Sequence, residues 1–113
     1  MEITSDLINP VTTRIRLNGR LDMIGSGEIE LRFTSLAATD NSNVIVDMSR
    51  VEFIASIGMR LLLTCAKAKK SRGGKLILVN LHTLVKEALE TAGIDTLIPI
   101  ETDEESALIA MQK

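Results

Sequence analysis

The stretch VIVDMSRVEFIASIGMRLLL, residues 44–63, decides the architecture. It opens on Val44–Met48, a short, apolar, β-branched run of the kind that forms a strand buried on both faces of a parallel sheet. It runs into a segment where Met59, Leu62, Leu63 and Ala66 share one helical face, which predicts a helix over residues 57–70. Between the two lie a lone hydroxyl, Ser56, and, one residue on, Gly58. A serine directly before a helix is a preferred N-cap, because its oxygen accepts a hydrogen bond from a backbone N–H two or three residues later. The same position also tolerates a phosphate, since a helix N-terminus exposes free N–H groups and partial positive charge. These readings are compatible, and a capping serine is well placed to become a switch. Gly58 leaves the first turn bare enough for another protein's backbone to approach closely.

The neighbouring segments extend the alternation of strand and helix. Downstream, Lys67–Arg72 (KAKKSR) and Gly73-Gly74 are helix stop signals, with Lys67, Lys69, Lys70 and Arg72 complementing the helix C-terminus. Lys75–Val79 (KLILV) repeats the buried-strand pattern, and His82 starts a further helix whose face is Leu84, Val85, Ala88, Leu89 and Ala92, closed by Gly93. Thr96–Ile100 is a short strand that Pro99 confines to an edge or ends early. Thr102 with Glu105 forms a capping box for a last helix, with Ala107, Leu108 and Met111 inward. Upstream, Ile29, Phe33, Leu36 and Ala37 mark an amphipathic helix ended by Asp40–Asn43. A glycine-punctuated loop over Asn18–Gly27 precedes that helix, with Ser26 as candidate N-cap. Val11–Leu17 alternates cleanly, with Val11, Thr13, Ile15 and Leu17 on one face, and pairs with Glu2–Ile8 as a hairpin across the Asn9-Pro10 turn. The order β-β-α-β-α-β-α-β-α predicts a single α/β domain over residues 1–113. Its sheet is mixed but mostly parallel, with an antiparallel N-terminal strand and about four helices packed on it.

Composition narrows the function classes. The 113 residues are 45% hydrophobic but only 2% aromatic, so the core is aliphatic and stacking platforms for bases or sugars are largely absent. A net charge of −2 argues against direct nucleic-acid binding and against an anionic membrane surface. A single cysteine, Cys65, excludes an internal disulfide and a multi-cysteine metal site, and reads as inert helix filling. With no apolar run near 18 residues and no signal-peptide pattern at the N-terminus, the expected location is the cytoplasm.

Enzyme motifs are incomplete. Around Ser56 only half of GxSxG is present, because Ile54 stands two residues before it. The lone histidine, His82, is placed at the far end of the next strand, remote from a nucleophile that needs a base within reach. Neither phosphate-binding glycine motif occurs. A phosphoacceptor reading of Asp47 lacks the acidic pair that would hold magnesium, since the first strand ends in Ile8-Asn9-Pro10. Asp47 and Ser49 instead organise a strand-to-loop turn. The chain is therefore expected to be a binding module rather than an enzyme, with no metal and no cofactor.

The central stretch resembles the signature of STAS domains, in particular the bacterial anti-sigma factor antagonists. Asp47, Met48, Ser49, Val51, Phe53, Ile54, Ser56, Gly58 and Met59 fit the pattern. Leu17-Asn18-Gly19-Arg20-Leu21-Asp22 is similar to the family's LxGxLD loop, and Gly73-Gly74-Lys75-Leu76 and Leu89–Ile94 sit where the family has its glycine-containing segments. The resemblance implies a single STAS domain working in a partner switch. The unphosphorylated chain would bind an anti-sigma factor that is also a GHKL-type serine kinase, be released on phosphorylation of Ser56, and be reset by a PP2C-type phosphatase. Asp22, Met23, Ile24, Ile57, Gly58, Met59 and Arg60 are the implied partner surface. For these residues the sequence leaves other roles open: a turn for Asp22, burial for Met23 and Ile24, a solvated helix face for Arg60. Two positions depart from the pattern: Ala55 replaces an acidic residue and Ile57 a small one. They remove a contact to the kinase and add bulk beside the hydroxyl. The alternative output is a stand-alone STAS scaffold or regulator, stressosome-like or acting in secretion, motility or lipid transport, without a phosphorylation switch.

Overall fold

The computed structural model describes residues 1–112. Strands β1 (Glu2–Asn9) and β2 (Thr12–Leu21) form the antiparallel hairpin, turning at Pro10-Val11. There follow α1 (Met23–Ala37), β3 (Asn43–Ile54), α2 (Ser56–Ser71), β4 (Leu76–Val79), α3 (Thr83–Thr91), a 3-10 turn (Ile94–Thr96), β5 (Ile100–Glu101) and α4 (Glu104–Met111). The five strands lie in one sheet in their sequence order, and β2 to β5 are all parallel. Parallel neighbours require a crossover, and a helix or turn supplies it each time.

The two faces of the sheet are covered unequally. On one face Ile15, Leu17 and Leu21 of β2 and Val44, Val46, Met48, Val51 and Ile54 of β3 make the main core. They meet Ile29, Phe33 and Ala37 of α1, Leu62 and Cys65 of α2, and Val85 and Leu89 of α3. On the other face Ile45, Ile77 and Val79 make a smaller core with Ala107 of α4. Burial on both sides is why β4 and the first half of β3 read as unbroken apolar runs.

Several element boundaries differ from the sequence reading. The expected Asn18–Gly27 loop is strand and helix: β2 continues to Leu21, α1 begins at Met23, and Asp22, not Ser26, is the N-cap. Ser26 lies in the first turn of α1, buried, its hydroxyl without a partner among the described residues. Strand β3 runs on from Met48 to Ile54. Val11 sits in the hairpin turn and is exposed, while Thr12 is buried. The expected Thr96–Ile100 strand is a 3-10 turn followed, after Pro99, by a two-residue edge strand. Asp103 rather than Thr102 caps α4, accepting from Ser106 N–H at 2.8 Å. Leu84 and Ala92, expected inward, face solvent.

Lys69 differs most from its expected role as a helix-end charge. Its side chain is fully buried, with Nζ donating to the Asp40 carbonyl at 2.8 Å and to Asp40 Oδ1 at 2.9 Å. Asp40 also accepts from the Ser42 hydroxyl at 2.6 Å and its N–H at 2.9 Å. The Ser42 hydroxyl and the Lys69 ammonium together hold its carboxyl far below the usual range. This contact ties the loop after α1 to the end of α2.

Candidate functional site

Two helix N-termini stand side by side at the carboxyl edge of the sheet. β2 and β3 end level, with Leu21 paired to Ile54. After each strand one residue, Asp22 or Ala55, precedes the helix, so the sequences DMIG and ASIG occupy equivalent places. The starts are laced together by Ala55 N–H donating to the Leu21 carbonyl at 2.9 Å. A Cβ on Gly58 would lie 2.7 Å from that same Leu21 oxygen and 2.8 Å from Leu21 Cβ. Gly58 therefore lets the first turn of α2 seat on the end of β2. The close backbone approach that the sequence suggested for a partner is made by the domain's own Leu21.

The two starts are capped differently. Asp22 Oδ1 accepts from Gly25 N–H at 2.8 Å, and this bond holds its carboxyl below the ordinary value. Arg20 Nε lies 3.4 Å from Asp22 Oδ2, and its guanidinium stacks 4.2 Å over the Phe53 ring. Ala55 is the N-cap of α2 and offers no side-chain acceptor. Ser56, expected to be that cap, is instead the first helical residue. Its side chain is exposed and makes no intramolecular hydrogen bond among the described residues. Neither α1 nor α2 has an acidic residue in its first turn, but the Asp22 carboxylate offsets the positive end of α1, whereas no acidic cap or first-turn residue does so for α2.

Large apolar side chains at the two helix starts and the end of β3 are exposed. Met23 is 73% exposed, Ile24 76%, Phe53 39% and Ile57 38%. The structure thus resolves the open choice for Met23 and Ile24 in favour of exposure. Met59 packs partly against the core and Arg60 is exposed. Asp47 lies inside β3 at a bulge rather than at the expected strand-to-loop turn, but its Oδ1 does accept from Ser49 N–H, at 3.0 Å, and from Asn80 Nδ2 at 3.2 Å. Burial works against its ionisation, but these bonds and Arg16 outweigh it and lower its pKa. His82 caps α3 in backbone position only, with its ring Nε2 2.6 Å from the Ser49 carbonyl. Cys65 is buried, and burial pushes its thiol pKa up. No group of His, Cys, Asp and Glu among the described residues could hold a metal ion. No helix among them is long and apolar enough to cross a membrane.

The sequence reading missed the Arg20–Phe53 stack and the empty cap at Ala55. Arg20 occupies a variable place in the loop motif, and its parity with Asp22 on an extended strand was the one available signal.

A single five-stranded sheet, antiparallel at β1–β2 and parallel elsewhere, with four helices packed on it, is an α/β domain of the STAS type. The chain matches the STAS domain family over residues 5–107, and it belongs to that family. BtrV of Bordetella bronchiseptica, named as an anti-sigma factor antagonist, is 26% identical over 112 residues, covering 99% of this chain and 96% of BtrV. A Thermotoga maritima protein described as an anti-sigma factor antagonist superposes with a TM-score of 0.87 at 18% identity, covering 98% of this chain and 95% of that one. The Bacillus antagonist SpoIIAA in its unphosphorylated form gives 0.76 at 23% identity, covering 98% and 96%. These structures establish the shared fold, and the chain's homologues carry the name anti-sigma factor antagonist.

Proposed function

We propose that this chain is an anti-sigma factor antagonist that works by partner switching. In the unphosphorylated state it binds an anti-sigma factor that is a GHKL-type serine kinase. The contact surface is Asp22, Met23 and Ile24 from the start of α1 with Ile57, Met59 and Arg60 from the start of α2. Gly58 acts from beneath by seating α2. The observation that carries the reading is the free, exposed Ser56 hydroxyl among the exposed side chains of Met23, Ile24, Phe53 and Ile57. Apolar surface of this kind gains by being covered. A phosphoryl group on Ser56 adds about −1.5 to −2 charge in the middle of it. The helix start accommodates that charge, while an apolar partner packed over it does not. A PP2C-type phosphatase resets the switch. The chain is substrate and binding module, not catalyst.

The test is incubation with each GHKL-type serine kinase of the host and Mg·ATP, read by intact mass and peptide mapping. One added phosphate at Ser56 is expected. In pull-down, Ser56→Ala keeps the partner and Ser56→Asp loses it. A stable complex that never gains phosphate, with both variants binding alike, would make the protein a constitutive scaffold and end the switch reading.

A further inference from the structure

Strand β3 turns outward twice in its second half. Its pairing with β2 slips between Arg16 and Asn18 and again between Gly19 and Arg20. Met48, Val51 and Ile54 still point into the core, and two consecutive residues stand outward between each: Ser49 with Arg50, then Glu52 with Phe53. Bulges re-aim side chains in this way and recur beside functional sites. Helix α4 covers the part of this sheet face that carries Ile45, Ile77 and Val79. Beyond it, two grooves of about 440 and 320 Å³ share Asn18, Ser49 and Arg50.

The guanidiniums on this face are not equally satisfied. Arg14, beside α4, is a satisfied guanidinium: it lies 2.6 Å from Asp6 and 2.6 and 2.9 Å from the two Glu104 oxygens. Arg16, one alternate position on, forms two longer ion pairs, 3.6 Å to Asp6 and 3.7 Å to Asp47, neither short enough for a hydrogen bond. Arg50 is exposed and its side chain has no ion pair or hydrogen bond among the described residues. The central carboxylates are shared: Asp6 gives Oδ2 to Arg14 and turns Oδ1 toward Arg16, while Asp47 accepts from Ser49 N–H and Asn80 on Oδ1 and turns Oδ2 toward Arg16. Glu2 and Glu52 line the separate grooves, one each. A guanidinium fork with free N–H groups matches the paired oxygens of a phosphate.

We propose that the bulged face of β2 and β3 binds a phosphate group, with Arg16 and Arg50 taking its oxygens and the Asn18 amide and Ser49 hydroxyl donating alongside. The group is either free phosphate or the terminal phosphate of a small metabolite. This site is independent of Ser56 and of the partner switch.

The test is titration of the ¹⁵N-labelled full chain with sodium phosphate, against sodium chloride at matched ionic strength. Saturable amide shifts are expected at Asn18, Gly19, Ser49 and Arg50, absent with chloride. The Arg16→Ala/Arg50→Ala variant should weaken the midpoint by about tenfold or more, while α4 and β4 resonances stay in place and report an intact fold. Unsaturable drift, or an unchanged midpoint in the variant, overturns the site. A parallel titration with free O-phosphoserine separates the sources: a tighter midpoint assigns a small organic phosphate, an equal or weaker one assigns phosphate itself.

Discussion

Replacing Ala55 with aspartate should stabilise the protein, although the site lies beside a surface proposed for binding. All four of its helices begin from extended N-cap backbones, among them Asp22 at φ −91°, ψ −169°, Ala55 at φ −100°, ψ 172°, and Asp103 at φ −151°, ψ 177°. Both aspartates use that geometry to accept from the N–H three residues on, at 2.8 Å in each case. Ala55 differs from Asp22 by about 10° in φ and 20° in ψ, and each is followed three residues later by glycine. An aspartate at 55 therefore reaches Gly58 N–H as Asp22 reaches Gly25 N–H. An N-cap of this kind is worth about 1 kcal/mol over alanine, which for a chain of this size raises the melting temperature by about 4 °C. Calorimetric melting and urea midpoints measure it, with Asp22→Ala as the matched control, expected to lose about as much. Ala55→Asn separates hydrogen bond from charge. A capping carboxylate has a folded pKa below its unfolded value, so its contribution is complete above the unfolded pKa and drains as pH falls through the folded one. The aspartate gain should accordingly vanish in acid while the asparagine gain persists. If Ala55→Asp melts at or below the parent temperature while Asp22→Ala loses stability as expected, the equivalence of the two helix starts is wrong.

Other outcomes follow from particular contacts. Gly58→Ala should cost about 1–3 kcal/mol by overpacking, because the new Cβ meets backbone oxygen and Cβ of Leu21 rather than a flexible side-chain end; an unchanged urea midpoint would refute that. Ser26→Ala should gain about 1 kcal/mol by removing a buried hydroxyl that has no partner, and a loss would mean that the hydroxyl is satisfied in solution. For the buried pair, Asp40→Ala should destabilise more than Lys69→Met in chemical denaturation, since it leaves Lys69 buried without its counter-charge, whereas Asp40 alone remains solvated. Folded-state pKa values are lowered for Asp22, Asp40, Asp47, Asp103 and Glu104. Their stabilisation is complete above the unfolded carboxylate values of about 4 and is lost progressively as pH falls below them; a melting temperature flat from neutrality to pH 2 would contradict it.

How much of this was legible in the sequence depended on whether one period governed a segment. Val44–Met48 and Leu76–Val79 are buried on both faces, so composition alone marks them as central parallel strands. The faces of α1 and α2 were legible because Ile29, Phe33 and Ala37, and Leu62 and Ala66, keep helical spacing into the core. The second half of β3 escaped because its bulges destroy alternation: inward residues at 48, 51 and 54 recur every third position, which no strand template anticipates. The same irregularity hid Arg50 and Phe53 as outward neighbours of the grooves and of Ser56. Around the site, Ser56 was legible as a candidate but its place was not. A serine before an apolar helix fits the cap equally well on either side of the helix boundary, and only the backbone settles that Ala55 takes the cap. This leaves Ser56 with its hydroxyl free of the helix. A capping hydroxyl would be engaged with the backbone, whereas one projecting from the first turn can be covered by a partner or reached by a kinase. The loss of a capping side chain at 55 and the release of the hydroxyl at 56 thus belong to one arrangement, and it is this arrangement, rather than the serine alone, that the proposed switch at the start of α2 rests on.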